Sequence, residues 1–229
     1  MKGIIFDFNG TLIFDTELHS ISWKQIAKEI RGTDMSDEEF NSINGTTNKY
    51  ILEHIFQREI TIEESEKYAQ RKEEIYRKLL KESSIELCSG AIHLFETLKQ
   101  ENIPFTIATS SDWGNVQCFI EKYHLEKWFS IDKIVFNDFT FKGKPFPDIY
   151  LKAASVLQVD IKDCIVFEDT ISGIQSGYSA GACCVGIASE LSIEKLCSLP
   201  GCCHAIHSYD EITITQLNNF ILQYKNSNH

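Results

Sequence analysis

Four short segments of this chain carry side chains that could act on a phosphate. The first is Gly3-Ile4-Ile5-Phe6-Asp7-Phe8-Asn9-Gly10-Thr11-Leu12, an apolar run that ends on one carboxylate and has an amide two residues later. The second, Phe105-Thr106-Ile107-Ala108-Thr109-Ser110-Ser111, is an apolar run that delivers hydroxyls at its end. The third, Lys144-Pro145-Phe146-Pro147-Asp148, sets a lysine just ahead of a proline suited to the first position of a helix. The fourth, Cys164-Ile165-Val166-Phe167-Glu168-Asp169-Thr170, ends an apolar run on two adjacent acids, which repel each other unless a cation sits beside them. Each segment alone has a plain structural explanation: a polar turn after a strand, capping hydroxyls, a solvated lysine, or two acids at a helix start. Together they supply a nucleophile, hydrogen-bond donors, a fixed positive charge and hard oxygen ligands, which is what phosphoryl transfer requires. Mg²⁺ prefers oxygen ligands in an octahedron and keeps several waters, so Asp7, Asp169 and Glu168 are its candidate ligands.

Such residues need elements that bring several chain segments to one edge. Residues 4–6 read as a buried strand of a parallel sheet, because such strands are apolar on both faces, and Asn9-Gly10-Thr11 is turn chemistry. Asp7 then stands at a strand's carboxyl end, where open α/β sheets bind their ligands. From about residue 15 to 84 the strand signal vanishes and four helical ones replace it. Trp23, Ile26, Ala27 and Ile30 fall on one helical stripe, and Ser36 with Glu39 and Thr61 with Glu64 have capping-box spacing, predicting helices from Asp37 and Ile62. The long charged stretch 62–81 has Tyr68, Ile75, Tyr76 and Leu79 as its inner face.

From Ser89 onward strands alternate with helices, which implies right-handed βαβ crossovers. The expected strands are 105–108, 133–136, 164–167, 183–187 and 205–207; the expected helices are 91–100, 114–123, 147–157, 172–179 and 215–223. In the last of these Leu217, Phe220, Ile221 and Tyr224 form the buried stripe. The expected fold class is α/β: a doubly wound, Rossmann-like parallel core of residues 1–14 and 85–229, with a helical cap domain of residues 15–84 inserted after the first strand.

Composition narrows the partners. A chain of 229 residues with 43% hydrophobic content can bury a sizeable core, and a formal charge of −11 with no Lys/Arg run argues against nucleic acid. No segment approaches the ~20 apolar residues of a membrane span, and the chain enters a strand at once, so a cytoplasmic protein with no membrane partner is expected; the oligomeric state stays open, a monomer being compatible with the sequence. The eight cysteines form no Cys-x-x-Cys pair and read as reduced, structural thiols.

The first segment resembles motif one of the haloacid dehalogenase-like superfamily, Asp-x-Asp-Gly-Thr-Leu, and the other three resemble its later motifs in the right order, so the resemblance spans essentially the whole chain. It implies a haloacid dehalogenase-like core in which Asp7 attacks the phosphate to form an aspartyl-phosphate. Thr109 and the Ser110 backbone would bind the transferring phosphoryl group, and Lys144 would neutralise charge between Asp7 and the phosphate. Mg²⁺ would be held by Asp7, the backbone carbonyl of Asn9 and Asp169, with Glu168 beside them.

Within the superfamily the chain looks most like the beta-phosphoglucomutase and sugar-phosphate phosphatase group. The residues that carry this are Asp15-Thr16-Glu17-Leu18-His19 leading to Trp23, then Asn44-Gly45-Thr46-Thr47, then Arg71-Lys72, and the Lys144 segment. In that group the cap His helps position substrate and acid/base and a glycine-bearing cap loop touches substrate, which implies such roles for His19 and Gly45 and a substrate-binding one for Lys72. The mutases carry an Arg just after the cap loop to grip a distal phosphate; here Asn48 stands there, against the mutase reading. The dehalogenase branch needs no Mg²⁺ and would leave Glu168 and Asp169 without a task. The resemblance therefore implies a Mg²⁺-dependent phosphatase of a small phosphorylated metabolite such as a sugar phosphate. The alternatives are a phosphomutase or a catalytically weak phosphate-ligand binder.

Asn9 is the departure. A carboxylate there would protonate the leaving alkoxide and then activate water, whereas a carboxamide does neither, and general acid–base catalysis is worth about 10² to 10⁴ in rate. Weak turnover of sugar monophosphates and better activity on acyl or aryl phosphates are expected. Three explanations stay open: an altered residue that keeps the fold and stalls chemistry, transfer of the acid/base task to His19, or a non-catalytic binder.

Overall fold

The computed structural model describes residues 1–227. It divides into two compact units, one made of residues 1–14 with the chain from Glu86 onward, the other of Asp15–Ile85.

The first unit opens with β1 (Gly3–Phe6), whose four residues are all buried. The helical unit follows with α1 (Thr16–Arg31), α2 (Asp37–Ile43), α3 (Asn48–Phe56) and α4 (Ile62–Glu82). The first unit then resumes with α5 (Ala91–Gln100), β2 (Phe105–Ile107), α6 (Trp113–Tyr123), α7 (Asp148–Leu157), β3 (Cys164–Glu168), α8 (Ile171–Ala180), β4 (Cys183–Ile187), α9 (Ile193–Cys197), β5 (Cys202–Ile206) and α10 (Ile214–Ser227). The five strands form one parallel sheet in the order β2-β1-β3-β4-β5. Chain order and sheet order part on either side of β1, which is the doubly wound pattern.

Burial explains the strands. β1, β3 and β4 have no exposed face, so unbroken apolar runs suit them where alternation would not. Phe6 of β1 stacks on Phe167 of β3 at 5.2 Å, and Ile149, Tyr150, Ala153, Ala154 and Leu157 of α7 share one core with Ile5 and Val166.

Four expectations need correcting. Residues 133–136 are not a strand: Ile131–Lys133 is a 3₁₀ turn, and Val135 alone bridges Ala108 in parallel. The backbone of Val135 bonds to Ile107 and Thr109 at 2.9 Å each, and the chain leaves when Asn137 turns to bond Ser111, too soon to extend a ladder. The last strand begins earlier than expected, at Cys202, because a register shift between Cys184 and Val185 lets β5 pair with β4 along its polar-looking start. Pro147 caps α7 instead of occupying its first turn. Finally, Cys183 and Cys203 form a disulfide, so the cysteines are not all reduced; adjacency of β4 and β5 brings together two thiols that lie 20 residues apart.

The helical unit has its own core, in which Trp23, Ile26, Ala27, Phe40, Leu52, Ile55 and Ile75 cluster. Its caps are those the spacing predicts. Ser36 accepts from the Glu39 amide, and Thr61 with Glu64 makes the complete reciprocal box, a device worth about 1 kcal/mol per cap.

Candidate active site

Strand register builds the site. Phe6 pairs with Phe167 across β1 and β3, so the residues that follow, Asp7 and Glu168, emerge side by side at the same end of the sheet. On the other flank Phe6 pairs with Ile107, which carries Thr109 to that end as well. Lys144 arrives on the loop before α7, its peptide bond to Pro145 cis and its side chain only 8% exposed.

The lysine is the hub. Its Nζ donates to Asp7 Oδ1 at 2.6 Å and to Glu168 Oε1, and it lies 5.2 Å from the centre of the Tyr150 ring. Glu168 is saturated with donors: Tyr150 Oη reaches Oε1 at 2.9 Å, and the Asp169 amide, the Thr170 amide and Thr170 Oγ1 each reach Oε2 at 3.0 Å. Asp169 accepts from Thr11 Oγ1 at 3.0 Å and from Ser189 Oγ at 3.4 Å. Two glycines permit this packing by having no side chain. A Cβ on Gly10, which sits at φ +71°, would lie 2.1 Å from Asp169 Oδ2, and one on Gly173 would lie 1.8 Å from the Glu168 carboxyl carbon.

Asp7, Glu168 and Asp169 are all buried, and each offers an oxygen within 4.8 Å of the others. Three acids thus face one ammonium in a poorly solvated space. Burial pushes the Asp7 carboxyl up to about 7, against the pull of Lys144, and the Glu168 charge adds to the rise. Asp169 is pushed up by burial, then by the charges of Glu168 and Asp7. Glu168 goes the other way: burial opposes its ionisation, but Lys144 and the hydrogen bonds from Thr170 and Tyr150 outweigh it. An excess of buried negative charge carried on hard oxygens fits a small divalent cation. Asp7 and Asp169 have the more available lone pairs, because Glu168 is already committed to donors. Among the described residues this is the one such acid, histidine or cysteine cluster suited to a metal.

The other expected site residues of this unit lie nearby or on its rim. The Asn9 side-chain oxygen accepts from Ser111 Oγ at 2.9 Å. Thr109 is buried and its Oγ1 accepts from the Ser111 amide at 3.1 Å, whereas Ser110 is exposed. Sequence reasoning missed Tyr150, Thr170, Thr11, Ser111 and Gly173. Thr170 and Gly173 had a signal, since a threonine three residues before a glycine caps α8; the others become legible only through contact.

In the helical unit the structure brings together His19 and Lys72 and leaves Gly45 apart. Lys72 Nζ donates to His19 Nδ1 at 2.7 Å and to Glu73 Oε1 at 3.0 Å, with the Trp23 and Tyr76 rings 5.6 and 5.3 Å away. Donation into Nδ1 puts the histidine proton on Nε2, which lies 3.3 Å from Asp15 Oδ2. Tyr76 stacks on the imidazole at 4.2 Å and its hydroxyl donates to the same Asp15 oxygen. Both ring nitrogens of His19 are therefore engaged. Gly45 is exposed in a left-handed turn at φ +79°.

Among the described residues no helix is long and apolar enough to cross a membrane. Residues 4–187 match the family model described as haloacid dehalogenase-like hydrolase. The chain is 33% identical over 196 residues to a beta-phosphoglucomutase of Bacillus subtilis, covering 82% of this chain and 83% of that protein. It is 30% identical to a phosphorylated carbohydrates phosphatase of Thermotoga maritima, covering 79% and 82%. A crystal structure of a haloacid dehalogenase family hydrolase from Entamoeba histolytica superposes with a TM-score of 0.95 at 62% identity, covering 97% of this chain and all of that one.

Proposed function

The chain belongs to the haloacid dehalogenase-like hydrolases, and from that premise we propose that it is a Mg²⁺-dependent phosphoryl-transfer enzyme acting on a small phosphorylated metabolite, with Asp7 as nucleophile. The observation that carries the reading is the buried group of Asp7, Glu168 and Asp169 around the single ammonium of Lys144. The two curated relatives act, by their names, on phosphorylated carbohydrates, which makes a sugar phosphate the class to try first.

An Asp7 carboxylate oxygen attacks phosphorus, and the bond from phosphorus to the leaving oxygen breaks as its electron pair departs with the leaving group. Lys144 holds the attacking carboxylate in place, and Thr109 with the Ser110 amide binds the moving phosphoryl oxygens. Asp7, Asp169 and the Asn9 carbonyl, with Glu168 beside them, would hold Mg²⁺, which would neutralise phosphoryl charge. Glu168, fixed by its donors, keeps Lys144 protonated and oriented. The carboxamide of Asn9 has no proton to give an alkoxide, so leaving groups that depart as stable anions are preferred. The insertion of residues 15–84 is assigned the cap role, with Gly45 at its substrate loop and Lys72 acting by holding His19.

The test is phosphate release from acetyl phosphate, an aryl phosphate and a panel of sugar phosphates, with and without Mg²⁺, for this chain and for Asp7→Asn. Phosphoryl transfer from any donor, read as label on the chain or as released phosphate, that needs both Mg²⁺ and Asp7 supports the proposal. Asn9 favours a second reading, a phosphate-ligand binder; it would show as no release from any donor together with thermal stabilisation by sugar phosphates.

A further inference from the structure

We propose that this chain is a stoichiometric phosphoryl acceptor: it takes a phosphoryl group from acyl phosphates onto Asp7 and keeps it. This rests on the reading of Asp7 as nucleophile and goes beyond it, because it concerns the second half of the reaction. The first half is undemanding with an acyl phosphate. Asp7 attacks phosphorus, the phosphorus–oxygen bond to the acyl group breaks, and the carboxylate leaves with the electron pair and needs no proton. The second half, attack of water on the phosphoaspartate, returns Asp7 as carboxylate and releases inorganic phosphate, and it needs a base to take the water's proton.

The structure commits each candidate base elsewhere. Asn9 is a carboxamide whose oxygen already accepts from Ser111 Oγ at 2.9 Å. Glu168 accepts from Lys144, Tyr150, the Asp169 amide and Thr170 through both of its oxygens. Asp169 accepts from Thr11 and Ser189 and is an expected cation ligand. In the helical unit His19 has Lys72 Nζ at 2.7 Å on one ring nitrogen and Asp15 Oδ2 at 3.3 Å from the other, and that Asp15 oxygen also accepts from Tyr76. With a neighbour on each ring nitrogen the histidine is assigned no part in activating water in this proposal. Phosphoryl arrival is supported and phosphoryl departure is not.

The experiment exposes the full chain to acetyl phosphate and Mg²⁺, removes the donor, and follows intact mass and released phosphate with time, beside Asn9→Asp and Asp7→Asn. This chain is expected to gain the mass of one phosphoryl group and to release at most one phosphate per chain. Its label should decay about 10² to 10⁴ more slowly than in Asn9→Asp, the span attributed to general base catalysis, and Asp7→Asn should take no label. Equal decay in the two labelled proteins, or many phosphates released per chain without Asn9→Asp, would overturn the acceptor proposal. Phosphate release by Asn9→Asp with no label ever found on this chain would also overturn it while leaving Asp7 as nucleophile. No label and no release in either protein would overturn the nucleophile reading itself.

Discussion

Among the described residues two lysine side chains are buried, and their surroundings differ in how much negative charge gathers round them. Lys144 lies in the α/β unit between Asp7 and Glu168, with Asp169 close by, so the negative charge around it exceeds its own. Lys72 lies in the helical unit against one imidazole nitrogen, one carboxylate and two aromatic faces, so one carboxylate is bonded to it where Lys144 has two. A buried charge that is matched holds an element in place; a buried excess of one sign calls for something from outside. The first unit gathers acids that could hold a metal ion, and the second fixes a histidine.

Removing each lysine is the strongest way to break this contrast. Lys144→Met leaves buried carboxylates uncompensated and is expected to cost about 3–5 kcal/mol in urea unfolding without metal. A smaller loss than that of Lys72→Met would end the distinction. Saturating Mg²⁺ is expected to act on the charge excess, stabilising the wild-type chain by about 2.7 kcal/mol at a hundred times its dissociation constant. A thermal shift that survives Asp7→Ala with Asp169→Ala would place the ion elsewhere. Gly173→Ala drives a methyl group into the Glu168 carboxyl, an overpacking worth about 1–3 kcal/mol, and should weaken the Mg²⁺ shift. Lys72→Met keeps the aromatic packing and strands His19 Nδ1, for a loss of about 1–3 kcal/mol and no change in the Mg²⁺ shift.

The smallest effect is in pH. The two regions hold carboxyls displaced in opposite directions. Asp7 is raised from 3.8 to about 7, so in the metal-free protein its contribution is present below pH ~4 and is lost as pH rises through about 7. Glu39 of the helical unit, bonded by Arg31 and His54, is lowered from 4.5 to about 2, so its contribution is present above pH ~4.5 and lost as pH falls through about 2. Partial exposure keeps the Glu39 part below about 1 kcal/mol. Hydrogen exchange resolved by segment should show β1 loosening toward neutral pH and α2 toward acid.

Much of both units was legible because local chemistry wrote it. Apolar runs too continuous for a half-exposed strand marked β1, β3 and β4, and the Thr61–Glu64 box marked the start of α4 to the residue. The misses share a cause. Val135 makes only a bridge, β5 begins at Cys202, and Cys183 joins Cys203, all through partners distant in sequence. No window of residues around Val135 or Cys203 contains the strand it meets.

The same division holds at the site. The order of types along the chain, Asp7 then Thr109 then Lys144 then Glu168 and Asp169, determined which side chains are on offer, and Asn9 determined that an amide stands two residues after Asp7. These are properties of side chains and survive any arrangement. Tertiary structure decided which groups remain available to act. Glu168 is spent on five hydrogen bonds, Tyr150 and Thr170 are drawn in to supply some of them, and Lys72 ties His19 to its own helix bundle. Whether a titratable group is free or committed depends on donors and acceptors a few ångströms away, and only the folded chain brings those within reach.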